Sequence, residues 1–234
     1  MLITAARWRW SVNKSILALT VGLCVFSLQT FASPTAQLSF TAAAEPPPCH
    51  IQQAPGTLDF GNIQRSQLNG NTPTQLPVKP FVGAITIQCE GDTSIGLSAV
   101  DNSGGSAITV GDLHWDNPAT TVTTTQTDQR FGLGMTQDGN PIGVWNVVFH
   151  SAQVDGAAAS IGIASNGILD VNDTSPTMRN DGKAVSWVQN NAFAVGEIFT
   201  VQADAAVAIA PIKDLASGSE IDFAGSATLE IKYL

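Results

Sequence analysis

Charged residues are scarce in this chain, and most of those present are acidic. Of its 234 residues, 10 are Lys or Arg and 19 are Asp or Glu, which gives a net charge of −9. Nucleic-acid binding requires clustered basic side chains that neutralise phosphates, so this composition argues against it. Hydrophobic residues make up 44% of the chain, which together with the low charge argues against intrinsic disorder. The length suits one domain or two small ones.

Patterns typical of catalysis and metal binding are also lacking. The histidines, His50, His114 and His150, lie far apart and show no metal-ligand spacing. The sequence contains no HExxH, no GxSxG, no pair of CxxC motifs and no glycine-rich loop with a lysine that could hold phosphate. Scattered acids such as Asp101 and Asp116 do not form the pattern of a glycosidase pair. We therefore predict that the protein is not an enzyme and uses no metal and no cofactor.

The N-terminus has the layout of a secretory signal peptide. Basic residues up to Lys14 precede an uncharged apolar stretch over residues 15–28, which is shorter than the roughly 20 residues of a membrane-spanning helix. Small residues then favour cleavage after Ala32, so residues 1–32 are predicted to be removed, leaving Ser33 as the new N-terminus. This predicts an exported protein. An uncleaved membrane anchor is the alternative.

Only three cysteines occur, and Cys24 lies within the predicted signal peptide. The remaining two, Cys49 and Cys89, are an even number in a chain predicted to be exported, which indicates a disulfide bond. Closing the loop between them is expected to stabilise the fold by roughly 4 kcal/mol in the chain-entropy model. Two separate buried thiols are the alternative.

Alternating apolar residues, which are abundant, predict many short β-strands. A glycine-containing turn at 137–140 joins two of these strands as a hairpin. Because no convincing amphipathic helix occurs, we predict an all-β, antiparallel sandwich. The Thr-rich stretch 120–127 is predicted to be an edge strand or a loop, and residues 151–183 to form long surface connections. The apolar sets are Ile85, Ile87 and Cys89; Ile95, Leu97 and Ala99; Phe131, Leu133 and Met135; Ile142, Val144 and 147–149; Phe199 and Val201; Val207 and Ile209; and Leu229, Ile231 and Tyr233.

Two polar patterns have a functional and a structural interpretation. The stretch 170–173 (DVND) is similar to a calcium loop, but Ser175 stands where such a loop needs glycine, which favours an ordinary polar loop. His114, Trp115 and Trp145 could line a carbohydrate site, although a tryptophan in a β-sandwich is more often part of the core.

A strand-like arm precedes the predicted domain. Residues 36–44 alternate, with Leu38, Phe40 and Ala42 on one face. The prolines at 46–48 then interrupt the pattern, because proline cannot continue a β-ladder. The arm is therefore a candidate for pairing outside its own domain.

The last predicted strand runs to the end of the sequence. Leu229, Ile231 and Tyr233 are expected on its core face, with the residues between them in solvent. Because the printed sequence ends at Leu234, we expect the outer edge of this strand to lack a partner strand.

These features resemble, in their order and spacing, the pilin subunits of chaperone–usher fimbriae. The arm ending at Pro48-Cys49, the turn Leu58–Gly61 (LDFG), the strand Ile85–Cys89 and the penultimate Tyr233 are similar to pilin features. The middle of the chain is similar to a fimbria-associated bacterial family classed as a domain of unknown function, through 131–134, 142–143, Trp187 and the tail 211–234. The chain departs from pilins at Ala42, where most pilin arms carry glycine, and in the length of residues 100–190.

The resemblance implies an immunoglobulin-like sandwich over residues 49–234 that lacks its last strand, preceded by a donor arm and spacer over 33–48. It implies a fimbrial subunit assembled by donor-strand complementation, in which the arm of one subunit fills the groove of its neighbour. A periplasmic chaperone that binds beside Leu229, Ile231 and Tyr233, an outer-membrane usher and neighbouring subunits are the implied partners. The implied destination is the cell surface or the extracellular space.

Two other functions are weighed against this one. The first is a fimbrial tip adhesin or secreted carbohydrate-binding module, which would use residues 100–190 to hold a host receptor or glycan. The second is a secreted hydrolase, for which the sequence lacks the motifs.

Overall fold

The computed structural model describes residues 41–43, 45–54, 56–123, 126–215 and 222–234. The chain divides into two units, Met1–Ala43 and Ala44–Leu234. The predicted signal peptide, Leu38 and Phe40 lie outside the described residues. Ala42 is described and is exposed.

The described part of the second unit consists of short strands joined by turns. Three single-turn 3-10 helices occur there, at Arg65–Gln67, Thr127–Gln129 and Ile212–Asp214. No helix within the described ranges is long and apolar enough to cross a membrane. The strands are β1 (Cys49–Gln53), β2 (Thr74–Gln75), β3 (Lys79–Pro80), β4 (Ile85–Thr93), β5 (Ile95–Asp101), β6 (Asp112–Asp116), β7 (Ala119–Thr123), β8 (Phe131–Gly132), β9 (Gly143–Val154), β10 (Ala157–Ala158), β11 (Ser160–Ser165), β12 (Ile168–Asp170), β13 (Ala184–Gln189), β14 (Ala192–Phe193), β15 (Gly196–Ile209) and β16 (Ala227–Tyr233).

Two antiparallel sheets form the sandwich. The first has the order β1-β4-β15-β9-β10, with β2 and β3 also pairing with β15 and β8 with β9. The second has the order β12-β11-β13-β5-β16, with β14 pairing with β13. The prediction of an all-β, antiparallel sandwich is therefore confirmed.

The main core lies between these two sheets. In β4, Ile85, Ile87 and Cys89 are buried and the residues between them are not, as the alternation predicts. Trp187 of the second sheet meets Phe199 of the first, with ring centroids 5.3 Å apart. The Trp187 indole N–H donates to the carbonyl of Thr200 at 2.8 Å. This aromatic contact and hydrogen bond hold the two sheets together at the centre.

The predicted disulfide between Cys49 and Cys89 is present, which confirms that prediction. The two cysteines are directly opposite each other in the pairing of β1 with β4. Because β1 has only five residues and, within the described part of the chain, pairs with β4 alone, the disulfide fixes a short strand at the edge of the first sheet.

A separate hairpin, β6–β7, covers the outer face of the first sheet. Leu113, Trp115 and Val122 of the hairpin pack against Val144 and other small apolar residues of β9 and β15. Residues 120–123 of the Thr-rich stretch lie in β7, which agrees with the first of its two predicted forms, whereas Thr127 begins a 3-10 helix. This layer makes the central strands of the first sheet buried on both faces.

The prediction of long surface connections over residues 151–183 is wrong for residues 151–170, whereas residues 171–183 connect β12 to β13 with only an isolated bridge at Thr177. This stretch contains the end of β9 and all of β10, β11 and β12. Its small residues allow close strand packing: a Cβ on Gly162 would lie 2.5 Å from Cγ2 of Val188. A composition rich in small and polar residues is typical of loops, although Ile163 in this stretch is fully buried.

The two strands predicted around Phe199 and Val207 are one 14-residue strand, β15.

Candidate functional site: a groove between the sheets

The last strand, β16, forms one edge of the second sheet. It pairs with β5 along its full length, from Ala227 opposite Asp101 to Tyr233 opposite Ile95. Within the described ranges, no strand pairs with its other edge. The N–H and C=O groups along that edge are therefore placed to accept a further strand.

The faces of β16 follow the predicted alternation at most positions. Leu229 and Ile231 are half-buried and pack against the main core. The residues between them, Thr228, Glu230 and Lys232, are exposed. Tyr233 is 42% exposed, but its hydroxyl accepts a hydrogen bond from the Cys49 N–H at 2.8 Å. The phenol thus connects the end of the second sheet with the beginning of β1 in the first.

A large open groove lies beside β16, with a volume of about 1530 Å³. Protein interiors contain few voids larger than a water molecule, so an open groove of this size is more than a packing defect. Its polar lining comes from the turn region after β1 and from the segment before β16, and includes Asp59, Asn62, Arg65, Asp222 and Ser226. Its apolar lining from the strands is Ile51, Ile85, Trp145, Val147, Phe149, Ala203, Ala205, Val207, Ala227 and Leu229.

The LDFG turn forms one wall of this groove. Leu58, Phe60 and Ile63 are half-buried, line the groove and pack against the main core, although no strand is formed there. Asp59 accepts the Gly61 N–H at 2.7 Å, which closes the turn, and Gly61 has a φ of 72°, a value that glycine adopts without strain.

Lys79 of β3 connects this wall to the first sheet. The Lys79 ammonium donates to the carbonyl of Asp59 at 2.6 Å. It also lies 5.0 Å from the ring centroid of Phe60, within the range of a cation–π contact. The wall is therefore held by side-chain contacts rather than by a β-ladder.

The segment that leads into β16 passes directly over the side chain of Trp145 at Gly225. A Cβ added to Gly225 would overlap the indole nitrogen of Trp145, which lies on the groove floor and donates to the carbonyl of Gly132 at 3.0 Å. Only a residue without a side chain fits between the two. The tight approach sets where β16 begins relative to the groove.

We expect Gly225→Ala to lower the free energy of unfolding by about 1–3 kcal/mol, the usual cost of overpacking, because Trp145 is buried and cannot move aside. Urea unfolding followed by tryptophan fluorescence would measure this. Gly70→Ala is the matched control, since a Cβ at Gly70 would meet nothing within 4 Å. Equal stability of the two variants would contradict the assignment of this contact.

The residues considered for a carbohydrate site do not converge. Trp145 faces the groove, whereas Trp115 packs under the β6–β7 hairpin on the opposite face of the same sheet. Trp115 donates to the carbonyl of Asp204 at 3.0 Å. His114 is exposed and contacts Thr121 at 3.1 Å. The two tryptophans therefore have packing roles, which agrees with the structural interpretation.

The stretch 170–173 is part of an ion-pair cluster. Asp173 lies 3.0 Å from Nη1 of Arg179, a buried guanidinium that also contacts Asp128, and Asp170 lies 4.0 Å from Nζ of Lys183. Across the described ranges, no group of His, Cys, Asp or Glu is arranged to hold a metal ion. The structural interpretation of this loop therefore accounts for its acids.

Asp101, one of the scattered acids, also has a structural contact: its carboxylate accepts a hydrogen bond from the Gly132 N–H at 2.9 Å.

A serine, a histidine and an aspartate meet on the first sheet, and sequence reasoning missed them. His150 lies 3.2 Å from Asp204 through Nε2 and 3.0 Å from the Ser151 hydroxyl through Nδ1. Catalytic triads use the two ring nitrogens the other way round. Ser151 sits at an irregularity in the pairing of β9 with β15 and has a φ of 53°. The contact thus accounts for a bulge and does not favour the hydrolase alternative.

The groove floor and its wall were not predicted as one site, because their residues come from distant parts of the chain. The alternation in β9 and β15 predicts buried faces, but it does not show that the space above them is unfilled.

Comparison with known proteins gives one family match. No curated protein matches the chain. Residues 40–146 match the model of a family described as a protein of unknown function (DUF1120), which covers β1 to β8, the LDFG turn and the first four residues of β9.

Proposed function

We propose that the protein is a non-enzymatic fimbrial subunit that is assembled by strand addition into the groove beside β16. The observation that carries this proposal is the apolar groove of about 1530 Å³ next to an edge strand with no described partner on its outer side. An added strand would bond its main chain to β16 and place alternate side chains in the groove. The proposal involves no cofactor.

The arm over residues 36–44 has the pattern that this groove requires. The seven residues of β16 span about 24 Å, long enough to pair with an extended segment of similar length. Leu38, Phe40 and Ala42 alternate along the arm, so one face is apolar. The groove floor offers apolar partners such as Val147 and Ala205. This match supports donation of the arm from a neighbouring subunit.

The proposed partners follow from the same edge. Before assembly, a periplasmic chaperone would cover the outer edge of β16, because an uncovered edge above an apolar groove promotes aggregation. An outer-membrane usher would then exchange the chaperone for the next subunit, and the product would be a cell-surface fibre. The adhesin alternative, with a host receptor or glycan held by residues 100–190, stays a prediction.

The arm offers a direct test of the proposal. We expect Leu38→Asp combined with Phe40→Asp to abolish multimers of the exported protein, because a charge in an apolar groove costs several kcal/mol unless it is paired. Size-exclusion chromatography with light scattering would measure the multimers.

Ser39→Asp combined with Thr41→Asp is the matched control, since it adds the same charge to the other face of the arm. Multimers should persist in this control. If the Leu38 and Phe40 variant forms multimers as the wild type does, the proposed function is wrong.

A further inference from the structure

The proline spacer, Pro46, Pro47 and Pro48, is docked on the domain. The carbonyl of Pro48 accepts the Glu90 N–H at 3.0 Å, which extends the contact between β1 and β4 by one residue beyond the disulfide. Pro47 is half-buried, and a Cβ on Gly91 would lie 3.3 Å from its Cγ. The glycine thus provides the space in which the Pro47 ring sits.

The docking gives the spacer a defined direction. β1 runs from Cys49 towards Ile51, which lines the groove. Followed backwards from Cys49, the spacer continues past the disulfide beside residues 90–91 of β4, on the side away from Ile51. The hydrogen bond from the Cys49 N–H to Tyr233 holds the same point from the second sheet. The described spacer residues 46–48 therefore leave Cys49 at the end of the groove and lead away from it.

A flexible spacer here would work against assembly. A short flexible tether presents a segment to a site on the same molecule at an effective concentration on the order of millimolar. A neighbouring subunit at micromolar concentration would be outcompeted about a thousandfold. Strand donation between molecules therefore needs a geometric reason why the arm does not enter its own groove.

We propose that the docked spacer supplies this reason: it directs the arm away from its own groove, so that the arm is available only to a second copy of the chain. Proline fixes φ near −65°, and consecutive prolines form a stiff, extended segment that cannot reverse direction within three residues. Pro47, Gly91 and Tyr233 are then positioning residues. This inference rests on the proposed function.

The test replaces all three prolines with glycine in the exported chain. We expect the multimer fraction at micromolar concentration to fall at least about tenfold, with a monomer in its place whose unfolding midpoint does not depend on protein concentration. Adding Leu38→Asp and Phe40→Asp to this variant should lower the midpoint of that monomer, because its arm then no longer fits its own groove. A spacer with only a structural role would not make the stability of the monomer depend on the arm.

A second variant keeps the prolines and displaces the docked ring. Gly91→Val should move the same equilibrium towards monomer, whereas Gly70→Val, at a position with open space, should not. If the wild type forms multimers and the glycine-spacer variant forms them equally well, this inference is wrong and the proposed function is unaffected. Absence of multimers in the wild type would overturn both.

Discussion

Replacing Cys49 and Cys89 together with alanine is expected to lower the free energy of unfolding by about 4 kcal/mol. The disulfide closes a loop of 40 residues in sequence separation, and chain entropy accounts for most of this value. Domains of this kind are stable by only about 5–15 kcal/mol, so the loss is a large part of the total. Because β1 carries Ile51 into the groove, loosening β1 also weakens one side of the site.

Urea unfolding of the double variant and of the oxidised wild type would measure the difference. Reduced wild type should behave like the double variant. Adding reductant to the double variant is the control and should leave its midpoint unchanged, because that variant has no disulfide to break. A double variant as stable as the oxidised wild type would show that the β-ladder alone holds β1.

Leu229→Lys is expected to abolish multimers, as the change in the arm does, but from the receiving side. Leu229 is half-buried and lines the groove, so a lysine there would place its stem and charge where an incoming apolar side chain must pack. Thr228→Lys is the control, because Thr228 is exposed on the other face of β16.

Mixing experiments make this prediction sharper. A Leu229→Lys chain keeps an intact arm, so it should still cap a wild-type neighbour and shorten wild-type multimers when the two are assembled together. The Leu38 and Phe40 variant keeps an intact groove and should cap the opposite end. If Leu229→Lys forms long multimers by itself, or if Thr228→Lys is equally defective, the groove beside β16 is not the receiving site.

Much of the fold is predictable because strands of a two-layer sandwich alternate between core and solvent. Ile85, Ile87 and Cys89 show this clearly, and so do Leu229 and Ile231. Alternation fails where a strand is covered on both faces, as in β9 beneath the β6–β7 hairpin, or where small residues pack closely, as at Gly162.

The groove was less predictable, because it depends on contacts between distant segments. The LDFG turn resembles a pilin feature, yet nothing in its local sequence shows that it forms a wall. That role depends on Lys79, which reaches back 20 residues to the carbonyl of Asp59. The need for glycine at position 225 is equally hard to predict, because it depends on how closely Trp145 approaches in the folded chain. Local patterns describe elements, whereas a site between elements is decided by tertiary packing.

The first sheet separates two surfaces whose side chains pack in different apolar clusters. On its inner side, Val147 and Ala205 line the groove, and under the proposed function they would have to fit a segment of another copy of the chain. On its outer side, the β6–β7 hairpin is held by an independent apolar cluster, and its outward residues such as His114 and Asp116 touch neither the groove nor the main core. Substitutions at these outward hairpin positions are therefore expected to leave the proposed contact between one subunit and the next unchanged.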